Sequence, residues 1–438
     1  MMRRTFLFGC CLAACLLGST WLAAETQRSA CADAVLGGRV VAISAQRLGA
    51  LRDAPVSELR MWRGAGGRRL AIPFQVDECD EGGELVLRAP SAYARPVFGP
   101  RSVLLFRIED AGERDLDAAA IGALEVAVHK AAETAVRWAY VARAGDALSP
   151  SPRDDVDFDP ERGVIHARRY TLAFEGVHVG YFAPADGKGN DTGNLIDRFK
   201  ARVDAHFLWG LFRFQRNEDQ ISEDAVRYED GPIRVVRRSR IRVDIGWGLP
   251  SPTIVAEDYF YADHAEAPVY ISLPFSLAYV FGDLDVRLYL DFRALDGFRV
   301  AAQGLGDGVV VGGRAPPTDV APKTTWFLLD GGQIAFFHRL RFGPTLGGVD
   351  CRLFYVDDPR REDPPESVPG VRPAIGYRIT GWNSVGRGSH EIWMDTYVID
   401  TPSAPADVLA AVSMPVEVDV QAAAGSDSSS NRRSVPKR

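Results

Sequence analysis

Lysine is almost missing from this chain. Lys130, Lys188, Lys200, Lys323 and Lys437 are its five, so nearly all of the 51 basic residues are arginine. The 58 acidic residues outnumber them and leave a formal net charge of −7. A nucleic-acid binder needs a basic balance gathered into one patch, and arginines scattered through an acidic chain exclude that class. Chemical signatures are lacking too. No GxSxG elbow, HExxH, P-loop or CxxC occurs, which removes the serine-hydrolase, zincin, nucleotide-hydrolase and dithiol motifs. The seven histidines form no cluster with cysteine, so no metal site is expected. Beyond the N-terminus no apolar run reaches the roughly 20 residues of a membrane helix.

What is present is ordinary in bulk. The 438 residues are 46% hydrophobic and 25% charged, enough chain for two or three domains with real cores. The 42 glycines and 27 prolines favour many short elements joined by turns. Met1-Met2-Arg3-Arg4 is a short basic flank ahead of an apolar stretch from Phe6 to Ala24, the layout of a secretory signal peptide. Residues 1–32 are read as that signal, with cleavage sites at Ala23-Ala24 or Ala30-Cys31-Ala32, and a periplasmic or secreted location follows. Leu12-Ala13-Ala14-Cys15 resembles a lipobox and gives the alternative of a lipoprotein anchored at Cys15. Of six cysteines, Cys79 and Cys351 lie past the signal, with Cys31 added if cleavage precedes it. In an oxidising compartment both Cys31–Cys79 and Cys79–Cys351 pairings are open.

Short apolar runs rich in Val, Ile, Phe, Tyr and Trp alternate with turn residues from Arg39 to Arg143. About seven strands at this spacing make an N-terminal β-sandwich or barrel over 33–143. A linker at 144–160, rich in Pro, Ser, Asp and Arg, leads to a larger antiparallel β-sandwich over 161–421, and 422–438 is a disordered tail. Within the large domain, Ile233 to Ile245 places Ile233, Val235, Ile241, Val243 and Ile245 at one parity with arginines between them, a half-exposed antiparallel strand. Only 192–199 and 405–412 read as helices. The fold class is all-β.

Asp53-Ala54-Pro55-Val56, Glu58 to Trp62, Ile72 to Glu78, Val103 to Phe106 and the Asp110-Ala111-Gly112 turn form a run that resembles the N-terminal β-domain of uncharacterised bacterial exported proteins. These are distantly similar to exo-rhamnogalacturonan-lyase-like proteins, where such a domain precedes a galactose-mutarotase-like supersandwich. Asp230 to Val236, with the long strand and Tyr259 after it, is similar to the opening of that supersandwich. The resemblance touches about a quarter of the chain. It implies a fold and a carbohydrate context, and no lyase or epimerase catalytic residue maps onto this sequence.

Several motifs have a plain structural reading. Gly304 to Gly308 is followed by Val309-Val310-Val311, so a hairpin turn fits better than a phosphate loop, which needs a helix there. Asp186 to Asn194 is a glycine-rich polar loop with oxygens for calcium, but Lys188 and Asp191 stand where an EF-hand wants a ligand and a glycine. A surface loop is expected and calcium is the alternative. Gln75 to Glu81 reads as a strand end entering a solvated hairpin. Two stretches join aromatic and ionisable residues: Glu257, Tyr259, Tyr261 and His264, then Trp382, His390, Glu391 and Trp393. Aromatic faces for stacking plus carboxylate or imidazole for hydroxyls suit an oligosaccharide or polysaccharide. An ordinary sheet with aromatics inside and acids at strand ends gives the same composition. His206 with Trp209 is a third, weaker pair. The expectation is an exported protein that binds or processes carbohydrate, lyase- or epimerase-like at most. The alternative is a non-catalytic cell-envelope binding or structural protein.

Overall fold

The computed structural model describes residues 30–423 apart from 88–96, 132, 146–147, 186–192, 208–211, 245–251, 280, 294, 306–307, 314–322, 367, 369–371 and 400–403. The segment read as a signal, with Cys15, most of the candidate calcium loop, Trp209 and the residues after 423 lie outside the described residues. Strand makes up 56% of the structure and helix 10%, the reverse of the usual balance. The chain is all-β as its sequence indicates, built of antiparallel sheets with no closed barrel.

The N-terminal part is a two-sheet sandwich. One sheet orders Ala34–Leu36, Val40–Ser44, Ser102–Arg107 and Gln75–Glu78. The other orders Val416–Ala422, Leu124–Lys130, Arg137–Arg143, Leu59–Ala65 and Arg68–Ala71. Period-two alternation aims Val41, Ile43, Leu104 and Phe106 at Met61, Val126, Val128 and Val141, and all are buried. Each such side chain contributes roughly 1.5–3 kcal/mol by leaving water. The fifth strand of the second sheet arrives from the far end of the chain. Val416, Val418 and Val420 pack on the same core while Glu417 and Asp419 face outward. Hydrogen bonds to Leu124–Lys130 fix that register.

The larger part is a second sandwich. Its nine-stranded sheet runs Ile221–Glu229, Arg234–Val243, Thr253–Tyr261, His264–Leu273, Gly388–Ile399, Ala335–Phe342, Trp326–Asp330, Arg299–Ala302 and Val309–Val310. Facing it is a five-stranded sheet of Phe212–Arg216, Ile196–Phe207, Phe281–Phe292, Ala374–Thr380 and Asp350–Val356. A four-stranded meander, Val156–Asp159 to His178–Pro184, packs on the same core. The first of its strands falls inside 144–160. The described part of the helix read over 192–199, residues 193–199, is not helical. Ile196–Phe207 is a strand, because Phe199, Ala201 and Val203 alternate with Lys200, Arg202 and Asp204. The four-residue spacing of Leu195 and Phe199 only imitates a helical period. The other candidate does form a helix, Pro405–Ser413, with proline in its first turn.

The two sandwiches stack through the N-terminal four-stranded sheet, which is buried on both faces. Val40, Ala42, Val103 and Leu105 turn away from their own core toward Val236, Tyr259 and Tyr261 of the nine-stranded sheet and Ile233 just before its second strand. Charged groups sit in the same joint. Asp77 takes two hydrogen bonds from Arg234 at 3.0 and 2.7 Å, and Gln75 Oε1 accepts from the backbone of Ile233 and Arg234. The stretch Gln75 to Glu81 is therefore partly interior: Gln75 and Asp77 are buried and only its end is a solvated turn. Cys31 and Cys79 form a disulfide beside this joint, and Cys351 is a buried free thiol that burial pushes up to about 12.

Candidate functional site

The nine-stranded sheet has two unlike faces. One looks at the five-stranded sheet and is apolar. The other carries a continuous group of ionisable residues, because they occupy alternate positions on four adjacent strands, while Arg237, Asp258, His338 and His390 are the ionisable exceptions on the inward face. Thr253–Tyr261 supplies Glu257, Tyr259 and Tyr261, and His264–Leu273 supplies His264, Glu266 and Tyr270. Gly388–Ile399 supplies Glu391, Trp393, Asp395 and Tyr397, and Ala335–Phe342 supplies Arg339 and Arg341. Register brings them side by side: Tyr259 opposite Glu266, Glu266 opposite Asp395, Asp395 opposite Arg339, Trp393 opposite Arg341, Tyr270 opposite Glu391. Directly opposed side chains leave the sheet about 4.5–5.5 Å apart.

Asp395 is the electrostatic centre. It is fully buried and accepts four hydrogen bonds, from Arg339 Nε and Nη2 at 3.1 and 2.8 Å and from Arg341 Nε and Nη2 at 2.7 and 2.9 Å. Arg341 also lies 3.6 Å from Glu266. Burial raises the Glu266 carboxyl above its ordinary range, opposed by His264 and Arg341 and reinforced by the Asp395 charge. The face thus holds two neighbouring carboxyls of unequal environment, one gripped by two guanidinium groups and one without a hydrogen bond among the described residues.

His264 is packed between Tyr261 and Tyr397, with ring centroids 4.3 and 5.2 Å away. Its Nδ1 hydrogen-bonds Asp263 at 2.9 Å. Burial alone would raise Asp263, but the bond from His264 and the charges of Arg39 and Arg107 override it and hold the carboxyl low. Gly37 of the N-terminal sandwich lies against the other edge of the ring at φ +55°, where a Cβ would come within 2.2 Å of Nε2. Only a glycine combines that close approach with that backbone.

Two covers divide the face. The N-terminal sandwich buries Tyr259, Tyr261 and His264. The helix Pro405–Ser413 buries Phe337 and Tyr397 through Val408 and Val412. Between them a window stays accessible. Trp393, Tyr270 and Glu391 are half-buried there, with the Arg341 guanidinium 4.6 Å from the Trp393 ring centre. Arg238 and Tyr259 both donate to Glu257 at 2.5 Å at the window's edge.

Six of the eight residues singled out in the sequence share this face: Glu257, Tyr259, Tyr261, His264, Glu391 and Trp393. Trp382 and His390 do not join them. His390 precedes Glu391 and so points to the opposite side, where it bonds Thr345 Oγ1 and the Gly386 carbonyl. Trp382 packs in the core between the sheets and donates to the Ile379 carbonyl. His206 bonds Asp283 at 2.7 Å on the exposed part of the five-stranded sheet, away from this window. Asp395 shares the parity of Glu391 and Trp393 in the sequence, whereas Glu266, Arg339 and Arg341 are not among the candidates. The alternation Phe337, Arg339, Arg341 is their sequence signal, yet nothing local shows that it lies beside Asp395. Among the described residues no three His, Cys, Asp or Glu groups could together hold a metal ion.

No family model and no curated protein matches the sequence. Among solved structures, the chain is similar to an alpha-mannosidase from Enterococcus faecalis V583, at 9% identity and a TM-score of 0.47 over 88% of this chain. It spans 44% of the length of that mannosidase chain. A putative aldose 1-epimerase from Escherichia coli K12 is similar at 10% identity and a TM-score of 0.28, over 54% of this chain and 96% of that one. A putative kojibiose phosphorylase from the human microbiome matches at 8% identity and 0.21, over 56% and 28%.

Proposed function

We propose that the protein binds carbohydrate at the window on the charged face of the nine-stranded sheet. The observation that carries this is Trp393: a half-buried indole on a rigid strand, ringed by Tyr270, Glu391, Glu266 and Arg341. A sugar ring offers an apolar C–H face that stacks on an aromatic plane, and hydroxyls that pair with carboxylate and guanidinium groups. Binding pockets combine apolar surface with a few convergent polar groups in this way. A second reading, in which the bound sugar is also processed, rests on Glu266, whose carboxyl burial raises toward the proton-donating form, while Asp395, wholly inaccessible, only holds Arg341 in place beside it.

The test is an oligosaccharide array probed with the full chain and with Trp393→Ala. Loss of retention with an unchanged thermal transition is the expected result. Retention undiminished by Trp393→Ala would remove the reading. For the second reading, Glu266→Gln should keep binding while abolishing any turnover of the bound sugar, and turnover that survives would refute it.

We also propose export. Arg3-Arg4 ahead of one apolar run supports it, as does a Cys31–Cys79 bridge, which needs an oxidising compartment. That bridge favours cleavage near Ala24, upstream of Cys31. Intact mass of the exported protein checks this, and retention of Met1 would end the proposal.

A further inference from the structure

The two sheets of the large sandwich do not close on one another along their whole length. A space of about 470 Å³ remains between them, far above the water-sized voids of a packed interior. The residues facing it show the same thing. Leu284, Val286 and Leu288 on one sheet and Ala267, Val269 and Ile271 on the other point inward, yet each is only half-buried. At the rim Ile241, Val243 and Ile254 are half-exposed.

The lining decides what can enter. It is overwhelmingly aliphatic and aromatic, and its polar members are engaged elsewhere. Arg237 is ion-paired with Asp258 at 2.9 Å and Glu223 at 2.5 Å, and its guanidinium lies 3.9 Å from the Phe174 ring centre. His338 bonds Tyr377, and His390 bonds Thr345 and Gly386. His178 is the exception. It is more than nine-tenths buried, its Nε2 meets the Glu218 carbonyl at 3.2 Å, and its Nδ1 has no partner among the described residues. Water gains little in such a space, since apolar cavities stay dry. A sugar or nucleotide would leave its polar groups unpaired there.

Shape narrows the choice further. The strand Phe281–Phe292 lines the space from one end to the other, a length on the order of 35–40 Å at the rise of an extended strand. Its lining also crosses seven neighbouring strands of the nine-stranded sheet, from Ile221–Glu229 to Trp326–Asp330, so the space is an apolar layer between the sheets that a flexible hydrocarbon chain can follow and a compact polar ring cannot. We propose that it holds a single long hydrocarbon chain, the fatty tail of a free acid or of an acyl lipid. His178 keeps its proton on Nε2 for the Glu218 carbonyl, so its Nδ1 is an acceptor that only the protonated carboxyl of a free acid would satisfy. This occupant lies on the opposite side of the nine-stranded sheet from Trp393, so it stands or falls independently of sugar binding.

The full chain is titrated with cis-parinaric acid, a fluorescent fatty acid. In a second arm it is mixed with phosphatidylcholine vesicles, re-isolated, and its bound lipid extracted and identified by mass. A saturable rise at one site per chain is expected, displaced by stearic acid and not by a short-chain acid. Val286→Trp, which fills the space, should weaken it roughly tenfold or more. Ala267→Phe is the smaller second variant should the first not fold, and circular dichroism confirms the fold of each. Binding of free acid alone assigns the ligand to fatty acids, and lipid recovered only from vesicles assigns it to acyl lipids. No fluorescence rise together with no recovered lipid overturns the proposal. A signal that the folded variants retain in full also overturns it.

Discussion

Replacing Asp395 with alanine should be among the most damaging single changes in the large sandwich. The carboxylate is wholly inaccessible and takes four hydrogen bonds from two arginines. Its removal leaves both guanidinium groups without their main partner. Breaking a buried ion pair from one side costs about 3–5 kcal/mol, because the remaining charge stays desolvated. The side chains of Arg339 and Arg341 are 14% and 40% exposed, so Arg341 can rehydrate in part while Arg339 cannot. That places the expected loss near the lower end, about 3 kcal/mol. Urea denaturation followed by tryptophan fluorescence gives the value from the shift in midpoint at constant slope. The companion variant replaces all three residues, Asp395→Leu with Arg339→Met and Arg341→Met. It should recover much of the loss, because an apolar triad of similar volume carries no desolvation cost. A loss below about 1 kcal/mol in Asp395→Ala would show that the triad is solvated in a way its burial denies.

Two further outcomes follow from the same chemistry. Burial raises the Glu266 carboxyl above the 4.5 of an ordinary glutamate, so the folded chain holds that proton more tightly than the unfolded one. Its contribution to stability is present in acid and is lost as pH rises through the folded value. Glu266→Gln should therefore match the parent protein in acid and gain on it toward neutral pH in paired denaturation curves. An advantage that shrinks with rising pH would contradict the assignment. The Cys31–Cys79 bridge closes a loop with a sequence separation of 48, and Cys31→Ser with Cys79→Ser should cost about 4 kcal/mol by loop-closure entropy. Calorimetry with and without reductant measures it, and an unchanged transition would show that the bridge constrains nothing.

Much of the architecture was legible from alternation alone. The two-faced strand read over Ile233 to Ile245 is present as Arg234–Val243, with Val235, Ile241 and Val243 on the apolar side. Ile233, however, precedes it and packs with Val236 at the joint instead, and Ile245 lies outside the described residues. The same rule grouped Glu257 with Tyr259 and Tyr261, and Glu391 with Trp393. It also contained the warning against His390, which sits one position from Glu391 and so faces the other side. Strand order was not legible. Nothing near Asp395 states that Arg339 and Arg341 lie beside it, because cross-strand neighbours are chosen by register over long separations. Nor does the sequence show that Tyr259 and Tyr261 face a second sandwich. Burial of an aromatic against another domain and exposure of one to a ligand use the same residue types. The helix read over 192–199 failed because eight residues hold too few periods to separate 3.6 from 2.

The placement of Val416–Ala422 has a consequence for the order in which the molecule can be completed. A ribosome delivers the rest of the N-terminal sandwich first, but its outer strand only after the large sandwich has been made. Until then the edge Leu124–Lys130 carries unpaired amides and carbonyls, and the valine positions beside it lack their cover. Such an edge is a template for the wrong chain. The first-born half therefore waits, open on one side, through the synthesis of the entire large sandwich. Its closing step is a contact of very long sequence separation, the kind that forms slowly. Protection of that edge during this interval, by a chaperone or by delayed folding, is a demand the topology places on the cell.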